Sequence, residues 1–130
     1  MKILVDADFL VALNKPNDTN FKNALSKVVF FKESEIFITQ FTIPEAITVL
    51  SYKTSQEQAK KFLTESRSNN FSVIELDESL QEKTDQIFLA QKKKGTSWVD
   101  CLNVAAIQYY HLDGILSFDR FYQQVGVKVF

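Results

Sequence analysis

The sequence has few of the residues that mark secreted disulfide proteins and zinc proteins. Cys101 is the only cysteine among 130 residues, so an intramolecular disulfide is impossible and a secreted disulfide scaffold is excluded. His111 is the only histidine, and a lone histidine beside a lone cysteine argues against a zinc site. Positive charge is not in excess either. Fifteen basic and 16 acidic residues nearly cancel, so no overall field attracts RNA or DNA over long range.

Long apolar segments are also missing. No apolar run approaches the ~18 residues that a membrane span needs. The apolar start at Ile3–Val5 is far too short for the core of a signal peptide. Because the cysteine count also indicates a reducing compartment, we expect a soluble, cytoplasmic protein with no membrane association.

The chain does contain enough apolar material for one domain. A length of 130 residues fits a single domain spanning residues 1–130, which would bury roughly two-thirds of its unfolded surface. Hydrophobic residues make up 45% of the chain and charged residues 24%, which is ordinary globular composition. Most of the 12 phenylalanines should therefore lie in the core. No linker, internal repeat or low-complexity segment divides the chain.

Short apolar runs alternate with segments of helical periodicity. The predicted strands are Lys2–Asp6, Ile36–Thr39, Phe71–Leu76, Gly114–Phe118 and Val127–Phe130. Because helices rather than hairpin turns separate these runs, we expect right-handed crossovers and a mostly parallel sheet covered on both faces. The predicted fold is a three-layer α/β/α sandwich with a central sheet of four to five strands.

The helix after Pro16 carries a specific expectation about burial. Its Phe21, Leu25 and Val28 follow the spacing of one helix face, which predicts that this face packs on the core. Asp18 or Thr19 is the expected cap at its start.

Four acidic residues each lie where an apolar segment passes into a turn or a helix start: Asp6, Glu45, Asp100 and Asp119. In open α/β sheets this place is the edge outside the carboxyl ends of the strands, where ligands bind. Carboxylates without histidine or cysteine partners suit hard cations such as Mg²⁺ or Mn²⁺, which hold substrate phosphates. The favoured interpretation is therefore a metal-dependent nuclease. Two such ions about 3.5 to 4 Å apart could activate water and stabilise the leaving oxygen.

Each of the four acids also has a structural explanation as a helix cap or a capping-box partner. Thr42 and Ser97 precede two of them by the three-residue spacing of a capping box. Taken singly, the acids are weak evidence for a site. Together they are stronger, because helix starts that follow parallel strands lie at one sheet edge, where their dipoles tolerate concentrated negative charge.

Asp8 places a further carboxylate on the turn that holds Asp6. Two carboxylates about 4 Å apart repel each other by roughly 4 kcal/mol at an effective dielectric near 20. A bound divalent cation would relieve this repulsion. Ligand and helix cap are both open as roles for Asp8.

Two side chains next to Asp119 are auxiliary candidates. Ser117 could orient Asp119 or a metal-bound water by hydrogen bonding. Arg120 is the better candidate for a contact with an RNA phosphate, since the lysines at Lys92–Lys94 more often complete a helix dipole in solvent.

Four segments resemble the motifs of a PIN domain in order and spacing: Ile3-Leu4-Val5-Asp6, Glu45 early in a helix, Trp98-Val99-Asp100 before an alanine-rich helix, and Leu116-Ser117-Phe118-Asp119-Arg120-Phe121. The resemblance covers nearly the whole chain. In size and layout it is greatest to the VapC-like ribonuclease toxins of type II toxin–antitoxin systems. It implies a PIN-like fold and endonucleolytic cleavage of RNA. It also implies coordination of Mg²⁺ or Mn²⁺ by the acids of these motifs, which are Asp6, Glu45, Asp100 and Asp119.

The same resemblance implies partners. Toxins of this kind typically form homodimers, and a small antitoxin protein holds them inactive with a tail in the active-site groove. The sequence departs from the family pattern at two positions. Asp8 stands where serine, threonine or asparagine is common, and Phe121 stands where a second acid might be expected.

Two other functions compete with the nuclease. The first is a haloacid-dehalogenase-like phosphotransferase, in which Asp6 would be the nucleophile and Asp8 an acid. No convincing lysine after a later strand and no paired acidic motif near the end of the chain support it. The second is a catalytically inactive PIN-like scaffold that binds RNA or a protein without cutting. The sequence does not name the RNA.

Overall fold

A computed structural model describes residues 1–130 as four parallel strands and seven helices. In chain order the elements are β1 (Lys2–Val5), α1 (Ala7–Leu13), α2 (Phe21–Phe30), β2 (Glu35–Thr39), α3 (Thr42–Lys53), α4 (Gln56–Ser66), β3 (Ser72–Ile74), α5 (Glu78–Leu89), α6 (Trp98–Tyr109), β4 (Gly114–Leu116) and α7 (Phe121–Gln124). The strand order across the sheet is β3-β2-β1-β4. Every neighbouring pair is parallel, which confirms the predicted fold class.

The first strand lies inside the sheet because nearly all of its residues are apolar. Ile3, Leu4 and Val5 are almost inaccessible to solvent, as expected for a parallel strand covered on both faces. Ile3 pairs with Ile36 of β2 on one side and with Gly114 of β4 on the other. The carboxyl end of β1 therefore lies beside that of β4, and the residues that follow the two strands meet at one edge of the sheet.

Alternate residues of β1 face two separate cores. Ile3 and Val5 pack with helices α1 to α4 on one face of the sheet, and Leu4 packs with α5 to α7 on the other. This follows from the two-residue period of a strand. Each large apolar side chain buried in these layers contributes about 1.5–3 kcal/mol. The result is the three-layer α/β/α sandwich that the sequence predicts.

The predicted fifth strand, Val127–Phe130, is reduced to a single parallel bridge between Val129 and Ile115. The Ile115 amide donates to the Lys128 carbonyl at 2.9 Å, and the Phe130 amide donates to the Ile115 carbonyl at 3.0 Å. The segment passes close to β4, since a Cβ on Gly114 would lie 2.5 Å from the Lys128 carbonyl oxygen. Glycine is needed at this position for the close approach.

The expectation for α2 is wrong in two respects. Leu25 and Val28 are 43% and 44% exposed, and Ala24 is the only buried residue of the helix. The helix lies at the border of its layer and packs mainly on α1, so its apolar face is only partly covered. The capping residue is Asn20 without a side-chain bond, while Asp18 accepts from the Asn20 amide in the preceding turn. None of the helices has the length and apolar character needed to span a membrane.

Candidate active site

The acids predicted from the sequence line one pocket at the carboxyl edge of the sheet. The cavity has a volume of about 350 Å³ and lies between the starts of α1, α3 and α6. Six carboxylates line it: Asp6, Asp8, Asp18, Glu45, Asp100 and Asp119. Lys53 is the only basic side chain on its wall. We refer to this cavity as the carboxylate pocket.

Asp6 is the most buried of these acids, with 6% of its surface exposed. It caps α1, because the Ala7 amide donates to its Oδ1 at 2.8 Å. The Asn103 amide nitrogen also donates to Oδ1, at 3.3 Å, and the Ser117 hydroxyl donates to Oδ2 at 2.9 Å. The structural and functional explanations of Asp6 are therefore compatible, since the cap faces the pocket. Burial, followed by repulsion from Asp8, raises the pKa of Asp6 to about 7.

Asp8 and Ser117 face each other across the same edge. The Ser117 Oγ lies 3.2 Å from both carboxylate oxygens of Asp8, and the Phe118 amide donates to Asp8 Oδ2 at 3.0 Å. Ser117 Oγ also accepts from the Asp119 amide at 3.0 Å. Since a serine hydroxyl carries one hydrogen, it cannot satisfy Asp6 and Asp8 at once. Two carboxylates thus compete for one donor.

Glu45 lies in the first turn of α3 and is not part of the capping box suggested by the sequence. Thr42 is the first residue of the helix rather than its cap, and its hydroxyl accepts from the Thr39 amide at 3.1 Å. The residue before it, Phe41, caps the helix without a side-chain bond. The Glu45 side chain is therefore not occupied in capping, and it lines the carboxylate pocket.

Asp100 follows a helix cap that the sequence predicts correctly. The Ser97 hydroxyl accepts from the amides of Val99 and Asp100 at 3.1 and 3.3 Å. The Asp100 carboxylate does not complete a capping box. Its Oδ1 instead accepts from the Tyr122 hydroxyl at 3.1 Å. It is about half-buried at the start of α6, where the helix dipole favours negative charge.

Asp119 is exposed, as Glu45 is, and has two contacts of interest in the structure. Its Oδ1 accepts from the Phe121 amide at 2.9 Å, but the capping residue of α7 is Arg120, without a side-chain bond, so the cap predicted at Asp119 is wrong by one residue. It also lines the carboxylate pocket. Its neighbour Arg120 is exposed and is not part of the pocket wall.

Four residues of the site were not predicted as site residues from the sequence: Asp18, which was considered only as a helix cap, Lys53, Asn103 and Tyr122. Lys53 could have been found from the four-residue spacing that places it on the α3 face of Glu45 and Val49, both of which line the pocket. Asn103 could have been found as the one polar side chain in the buried run Cys101–Ile107. No local signal marks Tyr122.

The pocket concentrates negative charge without a matching cation. The only ion pair in the chain joins Lys61 and Glu65 on the surface of α4. Burial raises the pKa of Glu45 and of Asp100, and repulsion from a neighbouring carboxylate raises each of them further. Burial also raises the pKa of Asp8. A bound cation would oppose all of these shifts.

The ligand atoms that the carboxylate pocket offers are of the kind that a hard divalent cation binds. The pocket offers carboxylate oxygens and no histidine or thiolate, which is the ligand set for Mg²⁺ or Mn²⁺. No three of the acids are already arranged to enclose an ion. The pocket therefore matches such an ion in the type of its ligand atoms and in charge. Some side chains must move to complete the coordination of the ion.

Three other side chains considered for chemistry are accounted for elsewhere. The Trp98 ring packs edge-on against Phe41, and its Nε1 donates to Asp85 at 2.8 Å. Cys101 is fully buried. His111 is exposed in the turn after α6, with a positive φ of 53°. None of the three lines the carboxylate pocket.

The fold and the acidic edge place the protein in a known class. Residues 3–128 match the family model of the PIN domain, and the chain belongs to this family. Among solved structures, it is similar to Mycobacterium tuberculosis VapC20, a toxin that cleaves the sarcin–ricin loop. The TM-score is 0.85 at 18% identity, over 97% of this chain and 96% of the other.

Two toxin–antitoxin assemblies are also similar. VapBC2 from Rickettsia felis, bound to a DNA fragment from its promoter, gives a TM-score of 0.72 at 14% identity over 100% of this chain and 98% of the other. DNA-bound VapBC from Salmonella typhimurium gives 0.66 at 15% identity over 100% and 97%. At these identities the likeness establishes the fold. No curated protein sequence matches the chain closely enough to count as a relative.

Proposed function

We propose that this PIN-domain protein is a metal-dependent endoribonuclease and the toxin of a toxin–antitoxin pair. The observation that carries the proposal is the gathering of six carboxylates, without a neutralising ion pair, in one pocket at the carboxyl edge of the sheet. The resemblance to VapC toxins in fold gives the reaction class. A single domain over residues 1–130 and a cytoplasmic location belong to the same proposal.

Mg²⁺ or Mn²⁺ would be held by four carboxylates, those of Asp6, Glu45, Asp100 and Asp119. Asp8 offers a further carboxylate ligand at the same edge. When bound, such a cation supplies activation of water and neutralisation of the charge on the phosphate being cleaved. The remaining requirements fall to the chain itself. It must hold the acids in place, accept the RNA strand and keep like charges close together.

The chain meets the first requirement through buried donors. The Ser117 hydroxyl and the Ala7 amide hold Asp6. The third requirement is met in part by the starts of α3 and α6, because the dipole of each helix stabilises the acid in its first turn. Glu45 is the acid most free to adjust, since it is exposed and is the one of the four whose carboxylate accepts no hydrogen bond.

In this proposal Lys53 is the residue that contacts the RNA backbone. The sequence indicated Arg120, but Lys53 lines the carboxylate pocket and Arg120 does not. Lys53 lies two turns after Glu45 on α3, about 12 Å further along the helix axis at 1.5 Å per residue. It has no carboxylate within 4.0 Å, so its ammonium is available to a phosphate at the end of the pocket.

The proposed partners are an RNA substrate, a small antitoxin protein and a second copy of the chain. The antitoxin is supported by the similarity in fold to proteins solved as toxin–antitoxin complexes. The homodimer rests on the resemblance to VapC-like toxins. Exposed apolar side chains at the end of α2, Val29 and Phe30, are compatible with protein partners, being 69% and 80% exposed.

One observation favours a second candidate function. Because no three acids are already arranged around an ion, a PIN-like scaffold that binds RNA or protein without cutting has specific support. The haloacid-dehalogenase-like alternative has none, because the chain belongs to the PIN family. Asp6, its required nucleophile, is also 6% exposed and hydrogen-bonded through both oxygens.

The test is RNA cleavage by purified protein freed of any partner. Wild type, Asp6→Asn and the control Glu82→Gln would be incubated with a pool of cellular RNA in Mn²⁺ or Mg²⁺, with EDTA as the metal-free arm. Glu82 is an exposed acid of α5 outside the pocket. Discrete new ends with wild type and Glu82→Gln, lost in Asp6→Asn and in EDTA, support the nuclease. Folded wild type that binds RNA but never cuts supports the scaffold.

A further inference from the structure

Two polar side chains lie buried behind the carboxylate pocket without a part in the proposed chemistry. Tyr122 of α7 is fully buried, and Asn103 of α6 is 1% exposed. Neither lines the cavity itself. Burying a hydroxyl and an amide costs free energy unless their groups are hydrogen-bonded, so both need an explanation beyond packing.

Their hydrogen bonds join two of the pocket's acids. The Tyr122 hydroxyl donates to Asp100 Oδ1 at 3.1 Å and accepts from Asn103 Nδ2 at 2.9 Å. Asn103 Nδ2 also donates to Asp6 Oδ1 at 3.3 Å. Both amide hydrogens are thereby used. The acid at the end of β1 and the acid at the start of α6 are tied together through two side chains.

The orientation of the Asn103 amide leaves its Oδ1 buried without a hydrogen-bond partner. A rotated amide would place that oxygen against the Asp6 carboxylate, which accepts and cannot donate when ionised. This orientation of the amide is therefore the one that an ionised Asp6 requires. A buried acceptor without a donor is unfavourable and rare, and an apolar side chain at this position would avoid it. Asparagine at this position therefore has a clear benefit only through its hydrogen bonds to Asp6 and Tyr122.

These bonds constrain each acid through one oxygen. Asp100 is held through Oδ1 and has no hydrogen bond on Oδ2. Asp6 is held through Oδ1 by Asn103 and by the Ala7 amide, and its Oδ2 accepts only from the Ser117 hydroxyl. Carboxylates that bind a metal are commonly oriented in this way by hydrogen bonds from behind.

We propose that Tyr122 and Asn103 are positioning residues that hold the carboxylates of Asp6 and Asp100 in place for a divalent cation. The proposal rests on the proposed metal-dependent function and names residues of this chain that support it. Tyr122 contributes a hydroxyl and Asn103 contributes two N–H groups, and neither touches substrate.

The test is calorimetric titration of Mn²⁺ into purified protein, with thermal unfolding of the metal-free forms. Tyr122→Phe keeps the ring and removes only the hydroxyl, so we expect Mn²⁺ affinity to fall about tenfold, at the lower end of the usual cost of losing such a partner. Asn103→Leu should weaken Mn²⁺ binding by at least as much, while the metal-free protein unfolds at the same temperature or higher. Excess Mn²⁺ should restore the cleavage rate of both variants.

The matched control is Thr84→Val, which removes another buried hydroxyl, bonded to the Leu80 carbonyl in α5 and outside the pocket. It should change stability without changing Mn²⁺ affinity. Wild-type binding with unchanged affinity in both site variants would overturn the positioning role alone. Absence of Mn²⁺ binding by folded wild type would overturn it together with the proposed function. If Tyr122→Phe does not fold, Asn103→Leu decides by the same criteria.

Discussion

Ser117 Oγ lies 2.9 Å from Asp6 Oδ2, although the two residues are 111 positions apart in the chain. The contact exists because β1 and β4 are neighbours in the sheet and both end at the same edge. It places a neutral donor against the most buried acid of the pocket.

The first prediction concerns Ser117. Ser117→Ala removes this donor and the acceptor for the Asp119 amide, so the metal-free protein should lose about 1.5 kcal/mol of unfolding free energy or more, as is typical of hydrogen bonds to charged groups. Ser117→Thr keeps the hydroxyl and should lose much less. Urea unfolding of the three proteins in EDTA gives the comparison. Equal stability of the alanine variant and wild type would contradict the role of this contact.

The second prediction concerns pH. Burial holds the pKa of Asp6 at about 7 in the folded protein, against ~3.9 in an unfolded chain. The folded state therefore binds the proton more tightly. Protonated Asp6 therefore stabilises the folded protein fully below the unfolded pKa, and this stabilisation is lost as pH rises through about 7.

The metal-free protein should accordingly become less stable between about pH 4 and 8, by an amount on the order of 4 kcal/mol for a shift of this size. Asp6→Asn should flatten the profile and be the more stable protein at pH 8. Thermal unfolding in EDTA across this range measures both. A wild-type profile that rises with pH, or one that Asp6→Asn leaves unchanged, would show that Asp6 is not the group responsible.

The third prediction concerns Asp8. Asp8→Asn keeps an acceptor for the Phe118 amide and removes one negative charge beside Asp6. We expect the metal-free protein to gain roughly 1–2 kcal/mol of unfolding free energy at pH 8, because a like charge is removed from a half-buried site. The increase in unfolding temperature on adding Mn²⁺ should become smaller, since less repulsion is left to relieve. A destabilised variant with an unchanged Mn²⁺ response would refute this.

The fourth prediction concerns Lys53. Lys53→Gln should weaken RNA binding and reduce the slope of log affinity against log salt by about 0.7, the value for one phosphate contact on a single strand. Binding would be measured in an Asp6→Asn background, which prevents cutting. Lys60→Gln changes an exposed lysine of α4 outside the pocket and should leave the slope nearly unchanged. Equal slopes for the two lysine variants would remove Lys53 from the RNA interface.

The acids could be grouped from the sequence because each follows a strand or starts a helix. Asp6 after β1 and Asp119 after β4 are brought together by parallel strand order alone, and Asp100 by the helix that Ser97 caps. The capping box at Thr42 was predicted wrongly, because the local spacing fits equally well when the helix begins one residue earlier. The structure starts the helix at Thr42, and the Glu45 amide donates to the Phe41 carbonyl at 3.1 Å rather than to the Thr42 hydroxyl.

Features that depend on distant packing could not be predicted. Leu25 and Val28 have the spacing of a buried face, but α2 lies at the border of its layer, which no local pattern reveals. The bonds of Asn103 to Tyr122 and to Asp6 span 19 and 97 positions. Only the folded chain shows that they meet behind the carboxylate pocket.

The measurement that tests the central claim most directly is anomalous diffraction from crystals of the wild-type protein equilibrated with Mn²⁺. The account predicts an anomalous peak in the carboxylate pocket with oxygens of Asp6 and Asp100 among its ligands, and no peak there in Asp6→Asn crystals. Well-diffracting wild-type crystals in saturating Mn²⁺ with no peak in the pocket would contradict the claim that these acids form a metal-dependent nuclease site.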